Sequence, residues 1–271
     1  MEDSVLHPTE EGTPQGGIIS PVLANLTLDG LERVAHEALP RRSLVNVVRY
    51  ADDFVVTART EEQPRQKVIP AIEAFLAERG LRLSPEKSKI TRIETGFDFL
   101  GANVRKPDGN LRMKPSPKSV KAFLAGIRAF IKAHPEITIL EMIRRLNSRI
   151  RGWANYYRHL VSSRVFTKVD TAIYWAMWQW MRRKHPKKPV YWILRKYTRR
   201  NKNGAKEISA FTRDRRGQIG PVDLFRAASL AIRRHVKVLA KATDFDPEYE
   251  GYFRRRWIDR RKGRLSVPSS Y

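Results

Sequence analysis

Apolar residues change their period several times along the first hundred positions. Val45, Val47 and Val48, then Phe54, Val55 and Val56, are β-branched or aromatic residues flanking Asp52-Asp53, and they predict a β-hairpin over 45–58 with the two acids at or near its turn. Upstream, Leu23, Leu26, Leu31 and Val34 recur near helical spacing. Residues 20–39 are therefore predicted helical, with Ser20 and Pro21 as cap and first-turn residues. Residues 67–90 read as a helix ending at Gly80 followed by an extended segment, and 96–106 as a further strand pair. Three prolines and the turn-forming Asp108-Gly109 within 106–119 predict a hairpin and then a boundary at about residue 115.

Beyond that boundary the period becomes helical. Leu140, Ile143, Leu146, Ile150, Trp153, Tyr157 and Leu160 recur every three or four residues, while Arg144, Arg151 and Arg158 repeat on a different face. The stripe predicts core, and the arginine face is expected to be free to bind. A second helix aligns Phe166, Val169, Ile173, Met177 and Trp180, and ends in the basic run Arg182-Arg183-Lys184 before Pro186. Trp175 and Trp178 fall partly off this stripe, where an aromatic ring can stack on a base. Residues 191–217 suggest short strands and loops, and 222–241 a helix. No internal repeat is evident.

Composition narrows the chemistry. The chain has 271 residues and no cysteine, which excludes disulfides and thiolate zinc sites and agrees with a reducing, cytoplasmic setting. No apolar run approaches a membrane span, and the acidic N-terminus lacks a signal-peptide layout. The formal net charge is +25, unevenly spread: residues 1–106 carry 14 Lys+Arg against 16 Asp+Glu, and residues 107–271 carry 39 against 12. An excess concentrated in one region is the electrostatic footprint of nucleic acid; an anionic membrane surface is the alternative.

The two carboxylates have a bland and a chemical reading. Asp is a good turn residue, and a solvated tip accounts for the pair. The flanks are too apolar for an exposed ribbon, however, and like charges against a buried sheet repel unless a cation compensates them. Oxygen-only ligands suit Mg²⁺, which is commonly held by one or two carboxylates plus substrate phosphates. Phosphoryl or nucleotidyl transfer follows from that choice.

Several motifs stand in a recognisable order: "GTPQGGIISPVLANLTLDGLE" (12–32), "RYADDFVV" (49–56), "LRLSPEKSKITRI" (81–93), "FDFLGANVR" (97–105) and "RIRGWANYYRH" (149–159). Together they closely resemble the group II intron-encoded reverse transcriptase/maturase family over nearly the whole chain. The resemblance implies an α+β fold: a partial reverse-transcriptase palm (1–115), an α-helical maturase/thumb domain (116–190) and a basic C-terminal nucleic-acid-binding region (191–271). It implies that Asp52 and Asp53 are catalytic Mg²⁺ ligands, Asp52 the more direct, and that Tyr50 and Ala51 line the floor of the nucleotide site. Gln15, in the Pro14-Gln15-Gly16 turn, would contact the incoming deoxynucleoside triphosphate, and Lys87 would lie near its phosphates. Phe99, Leu100 and Gly101 resemble the segment gripping the primer end. Lys87 as a surface lysine, and Phe99 and Leu100 as plain core, are equally compatible with the residues.

The departures matter too. The family's further catalytic aspartate and its fingers lie upstream of the Gly-Thr-Pro-Gln-Gly motif, which only eleven residues precede here. The chain is therefore expected to be the C-terminal part of such an enzyme, with the missing part supplied by another chain in trans if it polymerises. Many members of that family continue into a nuclease supported by cysteine pairs; with no cysteine in this chain, no DNA-cleaving activity of its own is expected. Three functions compete: RNA-directed DNA synthesis on an intron RNA template from a DNA target primer; a maturase-like fragment that clamps intron RNA without polymerising; and an inactive remnant.

Overall fold

The computed structural model describes residues 18–40, 43, 45–213, 217–234, 236, 238–239, 242–243 and 245–262. The chain divides into two compact units, residues 1–99 and 100–271, each with its own apolar core. It is a mixed helix and sheet protein whose paired strands are antiparallel, as the α+β expectation requires.

In the first unit, α1 (Ser20–Thr27) and α2 (Leu31–Glu37) precede the hairpin of β1 (Asn46–Tyr50) and β2 (Asp53–Thr57). The single helix expected over 20–39 is two helices. Gly30 takes φ 88° between them, a left-handed conformation that glycine adopts without a Cβ penalty, and the chain turns there. Leu31 and Ala35 are thereby buried with Ile72, Phe75 and Leu76 of α3 (Ile69–Ala77). A π-helical stretch, Pro64–Val68, leads into α3. Pro70 has no N–H to return to Gln66, which accounts for the local widening. The helix ends as predicted: Gly80 sits at φ 67°, and the Leu81 N–H bonds to the Leu76 carbonyl at 2.9 Å, closing a Schellman-type turn. A short strand, β3 (Phe97–Phe99), ends the unit.

The second unit opens with the hairpin of β4 (Ala102–Arg105) and β5 (Arg112–Pro115), turned by Asp108 and Gly109 in positive φ. Three long helices follow: α4 (Pro117–Ala133), α5 (Ile139–Tyr157) and α6 (Ser163–Lys184). Ser116 and Thr138 cap α4 and α5 by accepting the N–H groups of Ser119 (3.1 Å) and Glu141 (3.2 Å), each satisfying an orphan donor. Both predicted stripes are core. Ile143, Leu146 and Ile150 of α5 and Phe166, Val169, Ile173, Met177 and Trp180 of α6 are buried in one apolar core; each such side chain contributes about 1.5–3 kcal/mol on leaving water. Ala102 and Met113 of the hairpin pack on the same core, so by contact the hairpin belongs to this unit.

Of the two C-terminal expectations, the short strands and loops of 191–217 hold from Thr198 onward, and the helix near 222–241 is absent from its described part. Residues 190–197 form a helix, α7 (Val190–Tyr197), before the meander of β6 (Thr198–Arg200), β7 (Lys206–Arg213) and β8 (Ile219–Asp223). Residues 222–234 are not a helix but the end of β8, then a strap with one 3-10 turn at Ala227–Ser229. Side chains of the bundle satisfy the strap's backbone in place of helical bonds: Asn147 accepts the Phe225 N–H (2.7 Å), and Asp170 accepts those of Ala227 (2.7 Å) and Ala228 (2.9 Å). Helix α8 (Glu250–Arg261) follows and buries no residue.

Candidate nucleotidyl-transfer turn and nucleic-acid interface

The hairpin of the first unit has the predicted register. Tyr50 pairs with Asp53, so Ala51 and Asp52 form a two-residue turn. Ala51 occupies the left-handed region at φ 54°, which costs a residue with a Cβ about 1 kcal/mol. Arg49 braces this conformation: its guanidinium donates to the Ala51 carbonyl at 3.1 Å and to Asn25 Oδ1 of α1 at 3.0 Å. Val47, Phe54 and Val56 pack on the core of the unit. Residues directly paired across a ladder share a face, so Asp53 lies beside Tyr50 on the opposite one. That face is solvated, with Tyr50 65% and Val48 55% exposed. The expectation of a sheet buried around the acids therefore holds for one side only of the described hairpin.

Asp52 and Asp53 are both exposed. No group of three or more histidine, aspartate or glutamate side chains gathers among the described residues. Mg²⁺ commonly takes one or two carboxylates and completes its shell with water and substrate phosphate, and the two exposed acids are donors of that type. Lys87 is exposed in a turn closed by its own N–H to the Ser84 carbonyl (3.2 Å). Pro14, Gln15 and Gly16 lie outside the described residues.

Phe99 is half-buried at the end of β3. Leu100 and Gly101 have φ 47° and 74°, and the second unit fixes their backbone. Tyr156 donates to the Leu100 carbonyl at 3.0 Å, and Tyr157 to the Gly101 carbonyl at 3.2 Å, where the Ser116 N–H also arrives at 2.9 Å. The Tyr157 phenol also meets the Ser119 hydroxyl at 2.5 Å. Periodicity marks Tyr157 as core but says nothing of its hydroxyl, so this clamp was not legible in the sequence.

The basic surface differs from the expected one. Arg144, Arg151 and Arg158 each contact the chain's own C-terminal segment, with Arg144 and Arg151 still exposed. Arg144 donates to Thr212 of β7 at 3.2 Å, Arg151 stands over the Phe225 ring at 4.2 Å, and Arg158 donates to the Ala231 carbonyl at 3.2 Å. Periodicity shows that arginines share a face, not that a later segment covers it. Lys184 is likewise engaged, donating to the carbonyls of Pro135 (3.4 Å), Glu136 (3.3 Å) and Ile137 (2.7 Å). Arg182 and Arg183 are exposed at the end of α6.

Electrostatics here follow burial and neighbours. His185 accepts or donates at 2.7 Å with the Tyr197 hydroxyl, and burial, then Lys196, Lys184 and Lys188, hold its pKa below the usual value. Asp223 is paired with Arg199 through Nε at 2.8 Å and through a second nitrogen, and this pairing holds its carboxyl below the usual range. Burial raises Asp170, against the lowering effect of the Ala228 and Ala227 N–H groups and Arg226.

Comparison with known proteins finds a match in each unit. Residues 2–104 match the family model for reverse transcriptase (RNA-dependent DNA polymerase), and residues 120–198 match that for the group II intron maturase-specific domain. The chain belongs to the group II intron reverse transcriptase/maturase family. It is similar to the group II intron-encoded protein LtrA of Lactococcus lactis subsp. cremoris, at 25% identity over 245 residues covering 58% of this chain and 41% of LtrA. Protein YkfC of Escherichia coli (strain K12) is 30% identical over 168 residues, covering 48% of this chain and 43% of YkfC. An uncharacterized 91 kDa protein in the cob intron of Schizosaccharomyces pombe is 25% identical over 223 residues, covering 54% and 28%. The chain thus spans less than half the length of these relatives. Among the described residues no helix is long and apolar enough to cross a membrane.

Proposed function

We propose that this chain takes part in RNA-directed DNA synthesis for group II intron mobility through its first unit, and binds intron RNA to assist splicing through its second. The observation carrying the first half is the two-residue turn that holds Asp52 and Asp53 exposed on a braced hairpin, in a segment matched to reverse transcriptases. Asp52 and Asp53 would hold Mg²⁺, whose charge stabilises the attacking and departing oxygens of nucleotide addition when it is bound. Tyr50 and Ala51 would form the floor under the incoming deoxynucleoside triphosphate, with Pro14, Gln15 and Gly16 at its base and Lys87 near its phosphates. The clamped Leu100-Gly101 backbone, with Phe99, would steady the end of a DNA primer.

RNA binding is supported by the +27 balance of residues 107–271 and by the maturase match. In this reading Arg182 and Arg183 meet phosphate, whereas Arg144, Arg151, Arg158 and Lys184 act first on their own chain.

The absence of a third acidic partner beside Asp52 and Asp53 among the described residues favours a second reading, a maturase-like protein that binds intron RNA without polymerising. Primer extension on an RNA template with Mg²⁺ separates the two. The chain is assayed alone and mixed with the N-terminal part of a related enzyme, with Asp52→Asn as control. Asp52-dependent extension supports polymerisation, in trans if only the mixture is active. No extension, together with salt-sensitive intron RNA binding, leaves the second reading.

A further inference from the structure

Helix α6 has a second face that neither the core nor the strap uses. Arg164, Lys168, Thr171, Trp175, Gln179 and Arg182 recur every three or four residues and are all exposed. At 3.6 residues per turn they fall within about 80° of arc, opposite the buried stripe, and span about 27 Å. Among the described residues, no ion pair or side-chain hydrogen bond engages Arg164, Lys168 or Arg182. The helix's one acid, Asp170, is turned to the strap, where it accepts the Ala227 and Ala228 N–H groups. The face is therefore uniformly cationic or neutral.

In its middle stands Trp175, 56% exposed, which meets Tyr174 edge-on at 5.8 Å between ring centroids. Its neighbour Trp178 packs against the core and offers no comparable surface. A large exposed indole between cations is costly to leave in water and has the composition of a single-strand stacking site, in which a base lies on the ring and phosphates meet the flanking charges. Duplex keeps its bases stacked on one another and presents backbone and grooves instead.

We infer that this face of α6 binds an unpaired segment of RNA, one base stacking on Trp175 while Lys168 and Arg182 hold the backbone on either side. The inference deepens the RNA-binding function proposed above and rests on it; α6 lies inside the maturase-specific match at 120–198.

The test uses the full chain, fluorescence anisotropy and three probes: oligouridylate, oligouridylate annealed to oligoadenylate, and oligothymidylate. Trp175→Ala weakens oligouridylate binding about ten-fold, within the range for losing one stacked base, and leaves duplex binding and thermal unfolding unchanged. Trp175→Phe retains most of the affinity. Lys168→Ala and Arg182→Ala each lower the salt slope by about one. Normal oligouridylate binding by Trp175→Ala, an equal loss on duplex, or preference for oligothymidylate overturns this site while leaving the general RNA-binding reading in place. If the wild-type chain binds neither these RNAs nor intron RNA, both fall.

Discussion

The carboxylate of Asp170 in α6 accepts the backbone N–H of Ala227 at 2.7 Å, and through this contact a segment with helical periodicity is held as an irregular strap. Ala228 donates to the other oxygen at 2.9 Å. Asp170→Ala leaves two backbone donors to find water and is expected to destabilise the chain by about 1–3 kcal/mol. Urea denaturation measures the loss, and amide exchange at Ala227 and Ala228 locates it. Unchanged exchange there would contradict the anchoring role.

Gly101 is held at φ 74°, and a Cβ there would stand 2.6 Å from the Tyr157 hydroxyl oxygen. Gly101→Ala therefore meets both backbone strain and a clash, for an expected cost of about 2–4 kcal/mol. Tyr157→Phe removes the obstructing oxygen, so the double variant is expected to lose less than the sum of the single losses. Strict additivity in denaturation would show that the clash is not felt.

Arg144, Arg151 and Arg158 touch Thr212, Phe225 and Ala231 of their own chain. Replacing all three with Ala is expected to cost about 1–3 kcal/mol of stability by loosening β7 and the strap, exposed contacts of this kind being worth a fraction of that each. The measurement pairs a denaturation curve with RNA binding. Lost affinity with unchanged stability would restore the free binding face expected from periodicity.

Two acids should move the acid limb of stability in opposite directions. Asp223 is lowered in the folded chain, chiefly by Arg199, so its contribution is present above the unfolded value of 3.8 and lost as pH falls through its folded pKa. Asp223→Asn flattens the pH dependence below that value. Asp170 is raised, chiefly by burial, so its contribution is complete below 3.8 and lost as pH rises through its folded pKa. Asp170→Asn makes stability rise more steeply with pH in the window just above 3.8. Tm against pH for both variants checks the two signs; matching slopes would refute the assignment.

Ala51→Gly relieves the left-handed strain at the Tyr-Ala-Asp-Asp turn and should leave the first unit more stable by a few tenths to about 1 kcal/mol, because glycine's greater unfolded-chain entropy offsets part of the gain. Denaturation followed in the first unit measures this. Destabilisation would mean that the Ala51 methyl makes a contact worth more than the strain.

What the sequence determined by itself was local or strictly periodic. The hairpin with Asp52 at its turn, the stop at Gly80 and the two buried stripes of α5 and α6 follow from residue spacing and backbone preference, because each is decided by neighbours within a few positions. Family membership was legible too, in short motifs at fixed order. Only the tertiary structure decided the rest. Gly30 divides one periodic segment into two helices, since α3 rewards the bend with burial of Leu31. Residues 222–234 give up helical bonds because Asn147 and Asp170, 78 and 57 residues away from their partners, satisfy the strap's donors. The arginine face of α5 meets β7 and that same strap, while an indole left uncovered on α6 faces solvent. Which side chain meets which distant segment depends on how the elements pack, and a linear pattern does not carry that information.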